Sequence, residues 1–381
     1  MKAYRIVFIS FCLAMGVGWA VGFGGQARIK VVDGVTVVTN AKQPSPPKDA
    51  ATKLVFEEIY SAGQGETADT SFSEVSSFAV HKDGTVYVAD MKESRIKVFD
   101  AKGGFVRAFG KQGQGPGELN SPIGIFISGA NELYVEDALN QRLAVFALDG
   151  KFLRNISTGK TLGLNGIQMD ASGRIVGRVI SLGQGGKMLW EVKTFDKDLN
   201  PKSTLESVDF PNPLQAKGRI NPFALAIVYQ MDPAGRIFLG RNRESEIKIF
   251  SAEDKVTKRI SREYDPVPIT KDDKEEMLKQ LDRMPSTPSV NVKEMIEFPE
   301  FFPAFAYFIL TDDGRLLVRT YEKGKKKREY IWDVYDAEGR YVARFPLTVD
   351  LQVWQDEKAY GLEENEEGYK ILKCFRVRWE K

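Results

Sequence analysis

The sequence predicts an all-β fold: a six-bladed β-propeller of four-stranded blades, closed by an N-terminal strand and carrying one helical insertion between blades 4 and 5. Three observations predict it. A tight turn, clearest at Asp83-Gly84, recurs at Gly129 to Asn131, Ser172-Gly173, Ala234-Gly235 and Asp313-Gly314, each time between two strand-like runs. The runs are short and rich in Val, Ile, Tyr and Phe, and the unit spans about 40 to 50 residues, the spacing of propeller blades. A sixth unit from Leu351, turning at Asp356 to Lys358, stops after its third strand, while a spare strand, Lys53 to Gly63, precedes the first unit.

Of the 381 residues, 43% are hydrophobic and 28% charged, which places the chain among ordinary globular proteins. Its 54 basic and 52 acidic residues nearly cancel, so no global field selects nucleic acid or an anionic membrane. The chain opens with Lys2 and Arg5, an apolar run from Ile6 to about Val21, and small residues. That is the pattern of a secretory signal over 1–27, cleaved after Ala20 or Ala27. An uncleaved anchor is the alternative, although the run is short for a full span. Phe11 before Cys12 is too bulky for a lipoprotein signal. Export would leave Cys374 as the single thiol, so no intrachain disulfide is available. The expected location is periplasmic or extracellular, with no membrane span once the signal is removed.

Residues 28–52 read as an arm or short hairpin, with Pro44, Pro46 and Pro47 marking a linker. The propeller follows over 53–381. In the first unit an inner strand (Ser77 to Val80) precedes the turn. Strands Val86 to Ala89, Arg95 to Phe99 and Phe105 to Phe109 follow it. The spare strand would complete the last blade and cover two open edges. Between the fourth and fifth units, residues 262–303 break the repeat with a helical pattern. Thr270 and Asp273 make a capping box, Met277, Leu278, Leu281 and Met284 share one face, and Pro285 ends it. A helix there is expected to lie over one mouth of the channel as a partial lid.

The run "VSSFAVHKDGTVYVADMKESRIKVFDAKGGFVRAFGKQGQGPGELNSPIGI" resembles an NHL repeat, in its Tyr-Val-Ala-Asp, Arg-Ile-x-Val-Phe and Gly-Pro-Gly-x-Leu-x-x-Pro elements. The second unit keeps the motif moderately and later units keep only turns and strands. Over about residues 55 to 381 the chain is similar to secreted bacterial six-bladed propellers of unassigned function. That resemblance implies fold rather than activity.

Several stretches are candidate sites. The Gly-rich stretches Gly110 to Pro122 and Ala62 to Asp69 do not open a helix, so they read as connections rather than phosphate cradles. Asp90 and Asp137, with Arg95 and Arg142, recur in two units and read as structural. His81, the single histidine, excludes His-cluster metal sites and Ser-His or Cys-His catalysis. It also separates the chain from the amidating lyase that shares NHL-like blades.

Oxygen-bearing residues read at the starts of inner strands are Glu74, Asn120, Asn165, Asn221 and Asp350, with Phe301 and Phe302 in the fifth unit. Such a set suits calcium or magnesium. The segment "LNGIQMD", Leu164 to Asp170, resembles an Asn-Gly segment of gluconolactonase-type six-bladed enzymes, which implies a divalent-metal-dependent hydrolase or lactonase as the alternative. Basic residues fall between second and third strands: Arg178, Lys187, Arg241, Arg243, and the run "KGKKKR" from Lys323 that includes Lys325, Lys326 and Arg328. On a shared face they would form a positive rim for an anionic ligand. Related NHL propellers in some animal proteins use such a face for RNA, which an exported chain has little occasion to meet.

The function expected is therefore an exported, monomeric module without a cofactor, binding a small molecule or an envelope protein through its axial mouth and loops. A structural part in a larger envelope assembly is a third reading.

Overall fold

The computed structural model describes residues 27–380, apart from 49, 162, 184, 186, 211–218, 224–225 and 282–291. The expected signal, 1–27, falls almost wholly outside the described residues. Six four-stranded antiparallel blades form the ring. Blade 1 comprises Val75–Val80, Val86–Asp90, Arg95–Phe99 and Phe105–Phe109; blade 2, Pro122–Ile127, Glu132–Asp137, Arg142–Ala147 and Phe152–Ser157. Blade 3 comprises Asn165–Met169, Ile175–Leu182, Met188–Phe195 and Pro201–Phe210; blade 4, Ile227–Met231, Ile237–Arg241, Glu246–Phe250 and Val256–Arg262. Blade 5 comprises Tyr307–Leu310, Leu316–Lys323, Tyr330–Tyr335 and Tyr341–Leu347. Blade 6 contributes Asp350–Gln355, Lys358–Glu364 and Lys370–Glu380, and takes its outer strand, Lys53–Ala62, from the other end of the chain.

That last pairing runs antiparallel from Leu372↔Ala62 to Glu380↔Lys53, as the spare strand predicts. It removes the two edges an open ring would expose. Each strand face carries apolar residues because both faces of a blade are covered by neighbours: every residue of Val86–Asp90 is buried. Between consecutive blades lie six apolar clusters, one per junction. The junction of blades 5 and 6 is the most aromatic, with buried Trp332 stacked on Phe345 and edge-on to Tyr307. Each such side chain contributes about 1.5–3 kcal/mol when buried, so the ring is held by packing, without a disulfide.

Within the arm, Arg28–Val32 and Val35–Asn40 form a short hairpin, and the second strand pairs in parallel with Val256–Arg262, making blade 4 six-stranded. Buried Asn40 then clasps two blades. Its amide donates to Ser261 O and Gly339 O, both at 3.0 Å, and its Oδ1 accepts from Tyr341 N at 2.8 Å. Alternation of Val and Thr makes these strands legible, but nothing local states which blade they join.

Between blades 4 and 5 the helix Lys271–Leu281 forms with its capping box intact: Thr270 Oγ1 donates to Asp273 Oδ2 at 2.6 Å, and Asp273 N to Thr270 Oγ1 at 3.3 Å. The insertion continues to the connection between blades 3 and 4, where Ile220 N donates to Met295 O at 2.6 Å and Ile220 O accepts from Glu297 N at 2.9 Å. It thus crosses the loop face of the ring. The side chain of Leu281, and Met284, lie outside the described residues.

Candidate functional site

The residue paired with the first residue of each inner strand is Asp90, Asp137, Arg178, Arg241, Arg319 and Leu362 in turn. Counted from the pair that closes the preceding hairpin, Asp90, Asp137 and Arg241 are fifth along the second strand, whereas Arg178 and Arg319 are fourth. Two carboxylates are followed by three guanidiniums. Asp137, fully buried, accepts from Arg142 Nε at 2.8 Å, Asn140 Nδ2 at 2.7 Å and Asn120 N at 2.6 Å. Arg142 in turn donates to Gln114 O and Glu118 O within the Gly-rich connection, which explains that loop without a ligand. In blade 1 the partner of Asp90 is buried Lys97, at 3.1 Å, while Arg95 pairs with Asp69 at 2.8 Å. These polar residues hold strand ends to loops, as their repetition predicts. His81 lies at a turn, its Nε2 3.2 Å from Asn131 Oδ1.

Register also places the five predicted oxygen ligands. The positions equivalent by pairing are Val75, Pro122, Asn165, Ile227, Tyr307 and Asp350. Asn165 and Asp350 occupy them and both line the axial channel. Glu74, Asn120 and Asn221 precede their strands instead, and Phe301 and Phe302 lie before Tyr307, because insertions and bulges shift the count. Asn165 Oδ1 accepts from Arg178 Nε at 3.1 Å, Asn221 Oδ1 accepts from Phe223 N at 2.8 Å, and Asp350 pairs with Arg319 at 2.8 Å. Among the described residues no group of three or more His, Cys, Asp or Glu is arranged to hold a metal ion.

The predicted basic residues do share the loop face, but acidic partners accompany the inner ones. Arg178 lies 5.2 Å from the Trp190 ring, and Arg241 pairs with Glu206 at 2.5 Å. Arg328 meets Glu364 at 3.0 Å and Glu276 of the helix at 3.5 Å. Arg243, Lys325 and Lys326 are exposed. Of the predicted rim residues, Arg241 and Arg328 are held in ion pairs, while Arg178 rests on Trp190 and Asn165.

Beneath the helix this face encloses a cavity of about 320 Å³. Its aromatic surface is Phe223, Phe302 and Tyr321: Phe302 stacks on Tyr321 at 4.6 Å with 10° between planes, and Phe223 meets Phe302 edge-on at 4.8 Å. Opposite stand Arg319, Asp350 and Tyr330, the guanidinium 3.8 Å from the Tyr330 ring centre. The helix presents Asp273, Glu276 and Met277, spaced to share one face. Two ion pairs moor it to blade 5: Lys323 to Asp273 at 2.5 Å, and Arg328 to Glu276. Burial opposes ionisation of Asp273, but Lys323 and the Thr270 cap outweigh it and hold the carboxyl below its ordinary range. The "KGKKKR" hairpin is thus in part the mooring of the lid.

Asp350 also borders the axial channel, about 720 Å³, where Gln168, Gln230 and Gln352 interrupt apolar inner strands. In its wall lies a carboxylate that the sequence does not advertise. Counted from the hairpin, Glu136 takes the position occupied by Ala89, Arg178, Gly240 and Arg319 in blades 1, 3, 4 and 5. It fits because Gly124 faces it: a Cβ there would come within 2.6 Å of the carboxyl group. Glu136 accepts from Ile167 N at 2.7 Å and Gly166 N at 3.0 Å, stapling blade 2 to blade 3. Burial raises its pKa to about 7, against the two amides and Arg178, which favour the anion.

Arg319, like Glu136, escapes sequence reasoning. The signal for it is the alignment of "LLVRT" with "VYVAD" and "LYVED", which puts Arg319 at the position of Ala89 and Glu136.

The DUF5128 family of 6-bladed beta-propellers matches residues 66–162, which hold blades 1 and 2. The brain tumor protein of Drosophila melanogaster is 27% identical over 154 residues, 38% of this chain but 15% of that protein, so the chain spans a small fraction of its curated relative. A Bacteroides fragilis protein designated as exported superposes with a TM-score of 0.50 at 13% identity, covering 91% of this chain and 100% of that one. A DUF4221 family member from Bacteroides vulgatus superposes with a TM-score of 0.52 at 11% identity, covering 87% and 100%. These likenesses are of fold: the chain is a six-bladed β-propeller. No helix among the described residues is long and apolar enough to cross a membrane.

Proposed function

We propose that the protein is an exported binding module that takes a small ligand in the cavity between the insertion helix and blades 5 and 6. The observation that carries this is the cavity itself: aromatic rings from three separate segments meet paired charges there, under a helix that the ring does not need for closure. Aromatic surface beside fixed polar groups can orient a small molecule in such a site. Export is supported by the basic, apolar and small-residue succession at the N-terminus and by the designation of the Bacteroides fragilis relative.

The test is a thermal-shift screen of a chemically broad compound set on the purified protein and on Phe302→Leu. Ligands that raise the melting point of the first and not the second support the cavity; ligands indifferent to Phe302 remove it from consideration. A metal-dependent hydrolase is the second reading, favoured by Asn165 and Asp350 both lining the channel. Stoichiometric calcium or magnesium by elemental analysis, with a melting point lowered by chelator, would support it, and absence of both would end it.

A further inference from the structure

From the cavity under the helix we infer the chemical class of its ligand: an uncharged, polyhydroxylated ring compound, a saccharide of one or two residues. The inference rests on the proposal that this cavity is the binding site. It starts from charge. The carboxylates of Asp273, Glu276, Asp350 and Glu364 are each within 3.5 Å of Lys323, Arg328 or Arg319. Four anions and three cations leave a net charge of one, spread over the wall. An incoming ion of either sign would have to displace an internal partner, and would leave that partner uncompensated in a partly desolvated site.

A hydroxyl group has no such cost. It donates to a carboxylate and accepts from a guanidinium at the same time, and both retain spare capacity beside their pairing: a carboxylate has about four acceptor positions and a guanidinium five donors. Alternating acids and bases therefore match a ring edged with hydroxyls. The aromatic surface supplies the second half of the match. Phe223, Phe302 and Tyr321 are half-buried, so each still offers surface to the cavity. They suit a ligand with a flat C–H face as well as a polar edge. The volume, about 320 Å³, accommodates a saccharide of one or two rings. A purely apolar ligand would strip water from the paired Arg319, Asp350 and Glu276 without replacing its hydrogen bonds.

Isothermal calorimetry on the purified protein tests this, with cellobiose, maltose and lactose as neutral probes and with glucuronic acid and glucosamine as charged counterparts. At least one neutral sugar should bind, more tightly than either charged probe by about tenfold or better. Raising sodium chloride from about 50 to about 500 mM should change that affinity less than about twofold, because no net charge is exchanged. Phe302→Leu, which keeps apolar bulk, and Arg319→Gln should each abolish binding while circular dichroism and melting remain near those of the parent.

Preference for a charged probe, or an affinity that collapses with salt, overturns the uncharged class. Absence of sugar binding, where the broad screen finds other ligands sensitive to Phe302, overturns the class and leaves the site. Absence of any ligand sensitive to Phe302 overturns both.

Discussion

Blade 2 and blade 5 each set a charge across from the first residue of the inner strand, Asp137 facing Pro122 and Arg319 facing Tyr307, and use these opposite charges for opposite ends. Asp137 is fully buried, and its three hydrogen bonds all return to its own blade and the connection before it. Arg319 reaches across to Asp350 of the next blade and keeps a face on a cavity. A repeated position is therefore a structural element where its charge is consumed locally, and a candidate functional element where it is shared across a junction beside open volume. Blade 1 belongs with blade 2, since Asp90 and Lys97 are both fully buried.

The comparison is broken most severely at the consumed end. Asp90→Ala leaves Lys97 Nζ with Glu93 and Ser71 O, and removes the acceptor of Ser73 N and Glu74 N. Removing one partner of a buried pair costs about 3–5 kcal/mol, so urea unfolding should show a loss of that size. Adding Lys97→Met should recover a substantial part, since an apolar side chain of similar length tolerates the site. A double variant no better than the single would show that the lost backbone bonds, rather than the stranded charge, dominate.

Glu136 sharpens the comparison because it is consumed locally and yet borders the channel. Its native pKa of about 7 lies above the ordinary value of 4.5. Between those values the native state binds a proton that the unfolded chain has released. The contribution to stability is thus fully present below pH 4.5 and is lost as pH rises through 7. The difference amounts to at most about 3 kcal/mol, from roughly 1.4 kcal/mol for each tenfold change in proton affinity. Glu136→Gln removes the titration, so its stability relative to the parent should improve between about pH 5 and pH 8, as read from urea midpoints. Parallel curves would show that the staple to Gly166 and Ile167 holds the carboxylate ionised throughout.

Blade count, ring closure and the helix cap are legible in the sequence because each rests on neighbours in the chain. Asp83-Gly84 and its relatives mark turns, and Thr270 faces Asp273 across a single helical turn. The strand Lys53–Ala62 is legible as a surplus that the last blade lacks. Placement of the arm is not, since the pairing of Val35–Asn40 with blade 4 is set by Asn40 meeting Ser261, Gly339 and Tyr341 more than two hundred residues away. The cavity is hidden for the same reason: Phe223, Phe302 and Tyr321 come from a blade connection, the insertion and a strand. Only Asn165 and Asp350 of the oxygen set reach the channel, because the count to an inner strand slips wherever a bulge or insertion intervenes. The basic residues are legible as a set between second and third strands, but the acidic partners of Arg241 and Arg328, Glu206, Glu276 and Glu364, are distributed over strands and the helix.

The smallest expected effect on stability, and the one that separates the two kinds of position most directly, belongs to Arg319. Its partner Asp350 is half exposed, so water can take over much of the carboxylate when the guanidinium is removed. Stacking on Tyr330 adds a modest attraction. Arg319→Ala should therefore cost about 1 kcal/mol in urea unfolding, well below the loss at Asp90, while eliminating ligand binding in the cavity. Arg319→Lys refines the point. A lysine keeps the charge and restores most of the pair with Asp350, but it lacks the planar fork that can hold Asp350 and a ligand hydroxyl together while lying on an aromatic ring. Stability should return and binding should not. If binding returns with the charge alone, the position acts as a simple counter-ion; if stability falls as far as in Asp90→Ala, Arg319 is consumed by the fold in the manner of blades 1 and 2, and the contrast between the two halves of the ring disappears.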